Sequence, residues 1–278
     1  MKNNLANIKK AKMLLDSGYC IAIPTETVYG LAANAYSNTA VKKIYKLKKR
    51  PKNNPAIVHY SSLKQLKSDC DLNKNFYLLY KKLCPGPITF VLKLKKKSRI
   101  SKFVNNKKNT LAVRFPKNNL SKKLLNLLDY PLAAPSANIT KKISAVSADD
   151  VKDEFGKKIK FILDGGRSKI GLESTIINLI KTPQILRLGG TEISKINKIL
   201  KTKLKFRKNK KKMISPGQSK VHYSPGIPIR LNAKSIKLNE AFIAIKKRKF
   251  SDKNFYYLSK NKNLKEAAKN LYKTMRII

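Results

Sequence analysis

The N-terminal part of the chain switches between two hydrophobic periods. Its first apolar residues recur at the spacing of one helical face: Leu5, Ile8, Ala11, Leu14 and Leu15. Gly18 then supplies a stop signal, and a continuous apolar run over 19–23 follows. This change of period predicts a helix followed by a buried strand.

The same criteria predict alternating helices and strands through most of the chain. Helices are predicted from about 38, within 62–83, at about 119–128, after Ser147 and at about 192–201. Strands are predicted at 56–60, 88–94, 110–115, 132–134, 160–164, 174–180 and 184–188. Asp149 and Asp150, just after Ser147, suit the first turn of a helix. Because helices and strands mix in order, we expect an α/β domain with a mixed sheet.

The pattern changes after residue 204. A basic stretch with little apolar periodicity runs into a segment punctuated by Pro and Gly, which is typical of a linker. Beyond it, strands are predicted at 242–245 and 255–258 and a helix at 264–275. We therefore divide the chain into a domain over 1–204, a linker over 205–228 and a C-terminal piece over 229–278. That piece is small for an independent core, so it is expected either to dock on the first domain or to be incomplete.

Length and composition exclude several classes of protein. The chain has 278 residues, of which 42% are hydrophobic, which is typical of a globular protein. No apolar run approaches the roughly 20 residues of a membrane span, and the N-terminus lacks the apolar core of a signal peptide. The three cysteines lie far apart in the sequence. We expect a cytoplasmic protein without a membrane contact and without a metal held by the protein.

The formal net charge is +48, which is usual for a nucleic-acid-binding protein. The basic residues are mainly lysines scattered over every segment, and this favours a biased composition over one binding stripe. A contact with tRNA or another RNA stays open. In a chain so rich in lysine, an arginine indicates a place that needs a rigid, bidentate donor.

Residues whose side chains could react or bind a ligand cluster where apolar strands end. Thr25, Glu26 and Thr27 follow the first strand, and Arg114 lies within an apolar strand, where a cation needs an anionic partner. Each such segment could also be an ordinary turn or a solvated charge run. The sequence has no phosphate-binding P-loop, no GxSxG and no Cys/His metal spacing. Hydroxyls and cations without these motifs suit a highly anionic ligand such as a nucleoside triphosphate.

Nine short motifs occur in register from about residue 5 to 228: PTETVYGL, KKRPKNNPAIVH, PGPITFVL, LAVRFP, APSAN, DGG, GLEST, ILRLGG and PGQSKVHYSP. In this order they resemble the threonylcarbamoyl-AMP synthases, the YrdC-type family. The resemblance implies a YrdC-like twisted mixed sheet flanked by helices. The linker and the C-terminal piece resemble the two-domain branch, with a small α/β C-terminal domain that looks truncated.

The resemblance also implies an activity. Members of the family form threonylcarbamoyl-AMP and pyrophosphate from L-threonine, bicarbonate and ATP, with magnesium carried on the phosphates. A separate transferase complex then uses the product to modify tRNA. In that chemistry the carboxylated amine of threonine attacks the α-phosphorus, so positioning and electrostatics would supply most of the rate.

Site residues follow from the same resemblance, motif by motif. It assigns the threonine site to Thr27, His59, Arg114, Ser174 and the backbone at Ala134. It assigns ATP contacts to Arg50, Asn54, Thr110, Ser136, Ser144, Arg187 and Tyr223. It gives the catalytic role near the phosphates to Lys48 and Arg50.

Two other functions compete with this interpretation. One is an RNA-binding module of YrdC-like fold, and the other is a carbamoyl-adenylate enzyme with a different acceptor. Turnover of ATP to pyrophosphate that needs both threonine and bicarbonate separates the synthase from both alternatives. Salt-sensitive RNA binding without turnover would favour the module.

Overall fold

The computed structural model describes residues 2–207, 214–216, 223–246 and 254–278. The helices are α1 (Lys2–Asp16), α2 (Asn38–Leu47), α3 (Leu63–Asp69), α4 (Lys74–Leu83), α5 (Asn119–Asn126), α6 (Ala148–Phe155), α7 (Ile193–Leu200) and α8 (Leu264–Ile277). The strands are β1 (Ile21–Ile23), β2 (Gly30–Asn34), β3 (Ile57–His59), β4 (Cys70–Asp71), β5 (Ile88–Leu94), β6 (Thr110–Arg114), β7 (Leu132–Ala133), β8 (Thr175–Asn178), β9 (Gln184–Arg187), β10 (Lys205–Phe206), β11 (Phe242–Lys246) and β12 (Phe255–Ser259).

One mixed sheet organises the first part of the chain. Its order is β1-β2-β7-β3-β6-β5-β8-β9-β10, with β4 paired to β5. The pairs β3–β6, β5–β8 and β9–β10 are parallel, whereas the other pairs are antiparallel. The expected α/β fold with a mixed sheet flanked by helices is confirmed.

The two faces of this sheet have different partners. Side chains alternate between faces along a strand, so Val58 and Ile57 of β3 point to opposite sides. Val58 belongs to the main core, which also contains Ile44 of α2 and Leu79 of α4. Ile57 belongs to a small cluster that carries Ile214 rather than a helix. The helices α1 and α5 cover the β1-β2-β7 end of this second face. Around Ile57 the face is covered lightly, and a cavity lies there.

Polar N-caps set where several helices begin. Ser37, Ser62, Asn73 and Asn118 each accept a hydrogen bond from a backbone N–H in the first turn of the helix that follows. Ser147 does the same for α6, and Asp150 returns a bond to the Ser147 backbone, which completes a capping box. The predicted start of this helix is confirmed.

Four details differ from the sequence prediction. The two-residue β4 lies between α3 and α4, in a segment where only helices were predicted. The strand β2 was not predicted, because its sequence GLAAN is rich in alanine and glycine, which have low strand propensity. The segment 160–164 was predicted as a strand, but it forms only an isolated parallel bridge between Ala22 and Ile162. The short β10 was not predicted either, and its pairing with β9 extends the sheet beyond residue 204.

The C-terminal piece consists of a parallel pair, β11 and β12, and the helix α8. Arg167 donates a hydrogen bond to Lys269 O at 2.8 Å, and Arg276 pairs with Glu154 at 3.2 Å. Gly171 has a positive φ of +74°, and a Cβ there would lie 2.6 Å from Lys269 O, so only glycine allows the helix this close. The piece therefore contacts the first domain, as the expectation of docking requires.

The predicted linker over 205–228 lies partly outside the described residues. Within its described part, Ser224 N–H donates to Lys141 O at 2.8 Å, so the segment returns to the first domain. A membrane-crossing helix, which needs a long apolar stretch, is not found in the described ranges.

Asp69 is a buried carboxylate that holds three segments together through hydroxyl groups. It accepts hydrogen bonds from Tyr36 at 3.1 Å, Tyr60 at 2.9 Å and Ser98 at 2.6 Å. Burial, followed by the nearby Asp69 charge, raises the pKa of Tyr36 to about 12. Both tyrosines therefore stay protonated at neutral pH and act as hydrogen-bond donors to Asp69.

Replacing Asp69 with Ala should remove three hydrogen bonds and leave buried hydroxyls without an acceptor. We expect the free energy of unfolding to fall by about 3 kcal/mol, measured by urea denaturation. Asp71→Ala is the matched control, because its ion pair with Lys93 is exposed and spans 3.7 Å. That control should lose less than about 0.5 kcal/mol, and equal losses in the two variants would contradict the role of Asp69.

Candidate active site

A cavity with about 470 Å³ of empty space, its solvent-open part included, lies on the second face of the sheet. Residues from separate strands and loops line it. Those that the sequence assigned to the site and that line the cavity are Thr27, Arg50, His59, Arg114, Ala134, Ser136, Ser174 and Arg187. The site was expected at the carboxyl ends of strands. His59 is the last residue of β3, Arg114 of β6 and Arg187 of β9, and all three line the cavity. The parallel pair β3–β6 brings His59 beside Arg114, so this part of the cavity does lie where strands end.

A turn after β1 fixes the orientation of Thr27. The Thr25 hydroxyl accepts from the backbone N–H of Thr27 at 3.1 Å and of Val28 at 3.2 Å, and it donates to Val28 O at 2.6 Å. The two threonine hydroxyls are 2.7 Å apart. Since the Thr25 proton is used on Val28, Thr27 is the donor in this pair. The lone pairs of Thr27 remain for other partners.

Arg114 is oriented by a carboxylate of the protein. Its Nη2 lies 2.8 Å from Oε1 of Glu26, and both residues are buried. The other oxygen of Glu26 accepts from Lys117 N–H at 3.0 Å. Nε of Arg114 is buried and has no hydrogen-bond partner among the described residues. Glu26 thus supplies one anionic partner that a buried arginine needs, and part of the guanidinium remains for a ligand.

His59 lies next to Arg114 in the register of β3 and β6. Burial, followed by the Arg114 charge, holds the pKa of His59 well below its ordinary value. The ring is therefore neutral at pH 7. Its Nδ1 is buried and has no partner among the described residues. A neutral ring with an unused nitrogen is suited to a hydrogen bond with a ligand rather than to charge neutralisation.

Arg50 is held by the turn that follows it. Its Nε donates to Asn54 O at 3.0 Å, and its Nη2 donates to Asn54 Oδ1 at 2.7 Å and to Pro55 O at 2.6 Å. Asn54 therefore lies behind Arg50 and does not line the cavity. Thr110 also lies off the cavity wall, and its hydroxyl is buried without a partner in the described parts of the chain.

Lys48 does not face the cavity. Its side chain is fully buried, and its Nζ donates to the backbone carbonyls of Ser136 and Asn138. Burial, followed by the Arg50 charge, holds the pKa of Lys48 well below its ordinary value. Lys48 thus supports the loop that carries Ser136, which does line the cavity. Its assignment to the phosphates stays a prediction.

Arg187 and Ser174 form the opposite wall. Arg187 donates from Nε and Nη2 to Ser174 O at 3.1 and 2.9 Å, and from Nη2 to Ser174 Oγ at 3.1 Å. The Ser174 hydroxyl also lies 2.7 Å from that of Thr89. Tyr223 contacts Nη1 of Arg187 at 3.5 Å, so it reaches the site through this arginine.

Glu173, beside Ser174, lines the same wall. Its Oε1 accepts from the hydroxyl of Ser144, and its Oε2 accepts from the hydroxyl of Tyr272 at 2.6 Å. Ser144 therefore lies behind Glu173 and contacts the site only through it. Tyr272 belongs to α8, so the C-terminal piece contributes to the support of the cavity.

The charged groups that line the cavity are three guanidinium groups and the carboxylate of Glu173. Among the described residues, no group of three or more His, Cys, Asp or Glu side chains could hold a metal ion. Fold and cavity together define an α/β protein with a cationic ligand site on the open face of its sheet. Such a site is suited to an anionic ligand.

Two family models cover almost the whole chain. The model Sua5_yciO_yrdC, described as telomere recombination, matches residues 13–189. A second model, described as the C-terminal domain of threonylcarbamoyl-AMP synthase, matches residues 191–278. The chain belongs to the Sua5/YciO/YrdC family.

Relatives with a named activity support this membership. The chain is 38% identical over 228 residues to the threonylcarbamoyl-AMP synthase of Pyrococcus abyssi, a match that covers 80% of this chain and 66% of the relative. It is 36% identical over 239 residues to that of Bacillus subtilis, which covers 83% and 68% of the two chains. The chain therefore spans about two thirds of the length of the curated relatives it matches.

The fold agrees with a solved relative. The structure of P. abyssi Sua5 complexed with L-threonine superposes with a TM-score of 0.88 at 34% identity, over 97% of this chain and 84% of that chain. The structure of E. coli YciO superposes with a TM-score of 0.60 at 23% identity, over 67% and 90% of the two chains, and supports the fold alone.

Sequence reasoning did not assign Glu26, Glu173 or Tyr272 to the site. Glu26 was noted at the end of the first strand and Glu173 lies within the GLEST motif, but no local pattern indicates which cation or hydroxyl each contacts. Tyr272 lies in a helix whose amphipathic pattern predicted only packing. Its hydroxyl contact with Glu173 joins residues 99 positions apart.

The neutral state of His59 predicts a pH dependence of stability. The pKa of His59 in the folded protein lies well below 6.5, so the unfolded chain binds a proton below pH 6.5 that the folded chain does not. The contribution of His59 to the free energy of unfolding is therefore fully present above pH 6.5. It is lost as the pH decreases, by up to about 1.4 kcal/mol per pH unit. His59→Gln should flatten this profile between pH 6.5 and 5, measured by urea denaturation. Profiles of equal slope in the two proteins would contradict the assignment.

Proposed function

We propose that this chain is an L-threonylcarbamoyladenylate synthase, which forms threonylcarbamoyl-AMP and pyrophosphate from L-threonine, bicarbonate and ATP. One observation carries the proposal. The residues that the family resemblance assigns to threonine, together with Arg50 and Arg187, line a single cavity. The relatives named threonylcarbamoyl-AMP synthase and the threonine complex of P. abyssi Sua5 support the same activity.

In this proposal the threonine end of the cavity lies around Arg114. Its remaining guanidinium donors bind the carboxylate of threonine, and Glu26 holds the fork in place. Neutral His59 and the lone pairs of Thr27 are available to the polar groups of threonine. The backbone at Ala134 and the hydroxyl of Ser174 complete this end.

The phosphate end lies between Arg50 and Arg187. Each guanidinium is fixed by its own chain segment, Arg50 by Asn54 and Arg187 by Ser174, and the two bring positive charge to the cavity. Ser136 supplies a further polar group, with Lys48 behind its loop. Fixed cations of this kind lower the cost of bringing a carbamate anion to a triphosphate.

The proposed reaction has two steps. The amine of threonine forms a bond to the carbon of bicarbonate, and water leaves, which gives a carbamate. A carbamate oxygen then bonds to the α-phosphorus of ATP while the bond to the β-phosphate oxygen breaks, and pyrophosphate leaves with that electron pair. The protein holds the three reactants together and stabilises the charge. Magnesium, carried on the phosphates, would screen their negative charge.

The product is a mixed anhydride, which is suited to transfer to an acceptor. We propose that a separate transferase complex uses it for the threonylcarbamoyl modification of adenosine in tRNA. The two alternatives are an RNA-binding module and a carbamoyl-adenylate enzyme with another acceptor. One cavity lined by three guanidinium groups and by the hydroxyls of Thr27, Ser136 and Ser174 supports the synthase.

The first test is substrate dependence. Purified full-length protein with ATP and magnesium should release pyrophosphate only when both L-threonine and bicarbonate are present. Because the carbamate attacks the α-phosphorus, the labelled α-phosphate of ATP should appear in a new adenylate, detected by chromatography. Equal pyrophosphate release without threonine, or with glycine in its place, would contradict the proposal.

The second test concerns the threonine end. Arg114→Lys keeps the charge but loses the planar fork, so the KM for threonine should rise by roughly tenfold or more. Arg99→Lys is the control, because Arg99 is exposed and lies over the ring of Tyr36, away from the cavity. An unchanged KM for threonine in Arg114→Lys would remove this residue from the site.

A further inference from the structure

The helix α8 reaches a carboxylate in the wall of the cavity. The Tyr272 hydroxyl donates to Glu173 Oε2 at 2.6 Å, and Ser144 donates to the other oxygen. Tyr272 is buried, with 5% of its surface exposed, and its ring is stacked on Tyr223 with centroids 5.6 Å apart. Burial, followed by the Glu173 charge, raises the pKa of Tyr272. The phenol therefore stays protonated and acts as a donor.

Glu173 lies close to Arg187 without pairing with it. Both residues line the cavity, and the backbone of the segment after Arg187 touches that of Glu173, where Gly190 N–H donates to Glu173 O at 2.8 Å. In the described parts of the chain, however, no ion pair joins the two side chains. The donors of Arg187 contact Ser174 and Tyr223 instead.

A buried carboxylate that loses a donor needs another partner. If the Tyr272 hydroxyl were missing, Oε2 of Glu173 would lose its donor at 2.6 Å, and the neighbouring groups able to replace it would be Tyr223 and the guanidinium of Arg187. The favourable outcome for that oxygen is an ion pair with Arg187. Such a pair would neutralise a cation that an anionic substrate needs.

The position of Tyr272 is fixed by contacts that do not involve the cavity. Arg167 and Arg276 tie α8 to the first domain, and Gly171 lets the helix backbone approach closely. Loss of one hydroxyl should therefore leave the helix docked. This separates the effect of the hydrogen bond from the effect of the packing.

We propose that Tyr272 is a positioning residue of the phosphate end of the site and acts through Glu173. Together with Ser144, it holds the carboxylate away from Arg187, so that this arginine is free to bind the phosphates of the nucleotide. The inference rests on the proposed function, because it assigns the anion at Arg187 to ATP. It gives the C-terminal helix a direct effect on nucleotide affinity.

The experiment compares Tyr272→Phe, Glu173→Gln and the double variant, with Tyr257→Phe as the matched control. Tyr257 lies on β12 with 38% of its surface exposed, so the same chemical change there should have no effect. Two quantities are measured on the full chain: the KM for ATP during pyrophosphate release, and the Kd of α,β-methylene-ATP by calorimetry. Thermal denaturation checks that each variant is folded.

We expect Tyr272→Phe to raise the KM for ATP and the Kd of the analogue by about tenfold, with little change in kcat. Glu173→Gln has no charge to neutralise Arg187, so the double variant should recover an affinity close to that of Glu173→Gln alone. If Tyr272 acted only by anchoring α8, removing the charge of Glu173 would not restore the affinity for the nucleotide. Unchanged affinity in Tyr272→Phe, or no recovery in the double variant, would overturn the proposal.

The calorimetric measurement keeps the two proposals apart. If the wild type binds the analogue but does not release pyrophosphate with threonine and bicarbonate, the proposed function is wrong and the affinities still decide the role of Tyr272. If turnover occurs and the affinities do not follow this pattern, only the role of Tyr272 is wrong. A wild type that neither binds the analogue nor releases pyrophosphate would overturn both.

Discussion

Each guanidinium group that lines the cavity must be oriented by acceptors of the protein, and the rest of the site depends on this constraint. Arg50 uses the carbonyls of its own turn, Arg114 uses Glu26, and Arg187 uses the backbone and hydroxyl of Ser174. In every case the acceptors of the protein use only some of the N–H groups of the guanidinium. The remaining donors are fixed in direction before any ligand arrives, so little reorganisation is needed on binding.

Such an arrangement places like charges on one face of a sheet, and the neighbouring groups limit the electrostatic repulsion that results. His59 stays neutral beside Arg114, and burial lowers the pKa of Lys48 near Arg50. Glu26 gives Arg114 a full counter-charge. The cavity therefore carries positive charge where a triphosphate and a carbamate would need it, while the positions around it avoid adding more.

Local sequence signals predicted many of the helices and strands. Ser147 with Asp150 marked a helix start, and the continuous apolar strands at 88–94 and 110–115 needed no tertiary information. By contrast, β2 has weak strand propensity and forms because its neighbours pair with it on both sides. Its location could not be read from its own residues.

The site was predicted through motifs, and its internal partners were not. A motif indicates that Arg114 or Ser174 belongs to a binding site, but the partner that orients it lies far away in the chain. Glu26 and Arg114 are 88 positions apart, and they meet because the turn after β1, which carries Glu26, folds over the end of β6. Hydroxyl and carboxylate partners are chosen by distance and direction in three dimensions, which a single sequence does not contain.

Composition acquires meaning once the arginines are placed. Lysines are scattered throughout the sequence, whereas five of its arginines have defined structural tasks: Arg50, Arg114 and Arg187 at the cavity, and Arg167 and Arg276 against α8. Each of these uses planar geometry to contact more than one acceptor or to reach a carbonyl in a buried place, which lysine does poorly. Arg230 follows the same rule on the surface, where its Nε and Nη2 contact the two carboxylate oxygens of Glu240. The net charge gives little information about the ligand of this protein. The positions of the arginines give more, because geometry rather than charge decides where an arginine is needed.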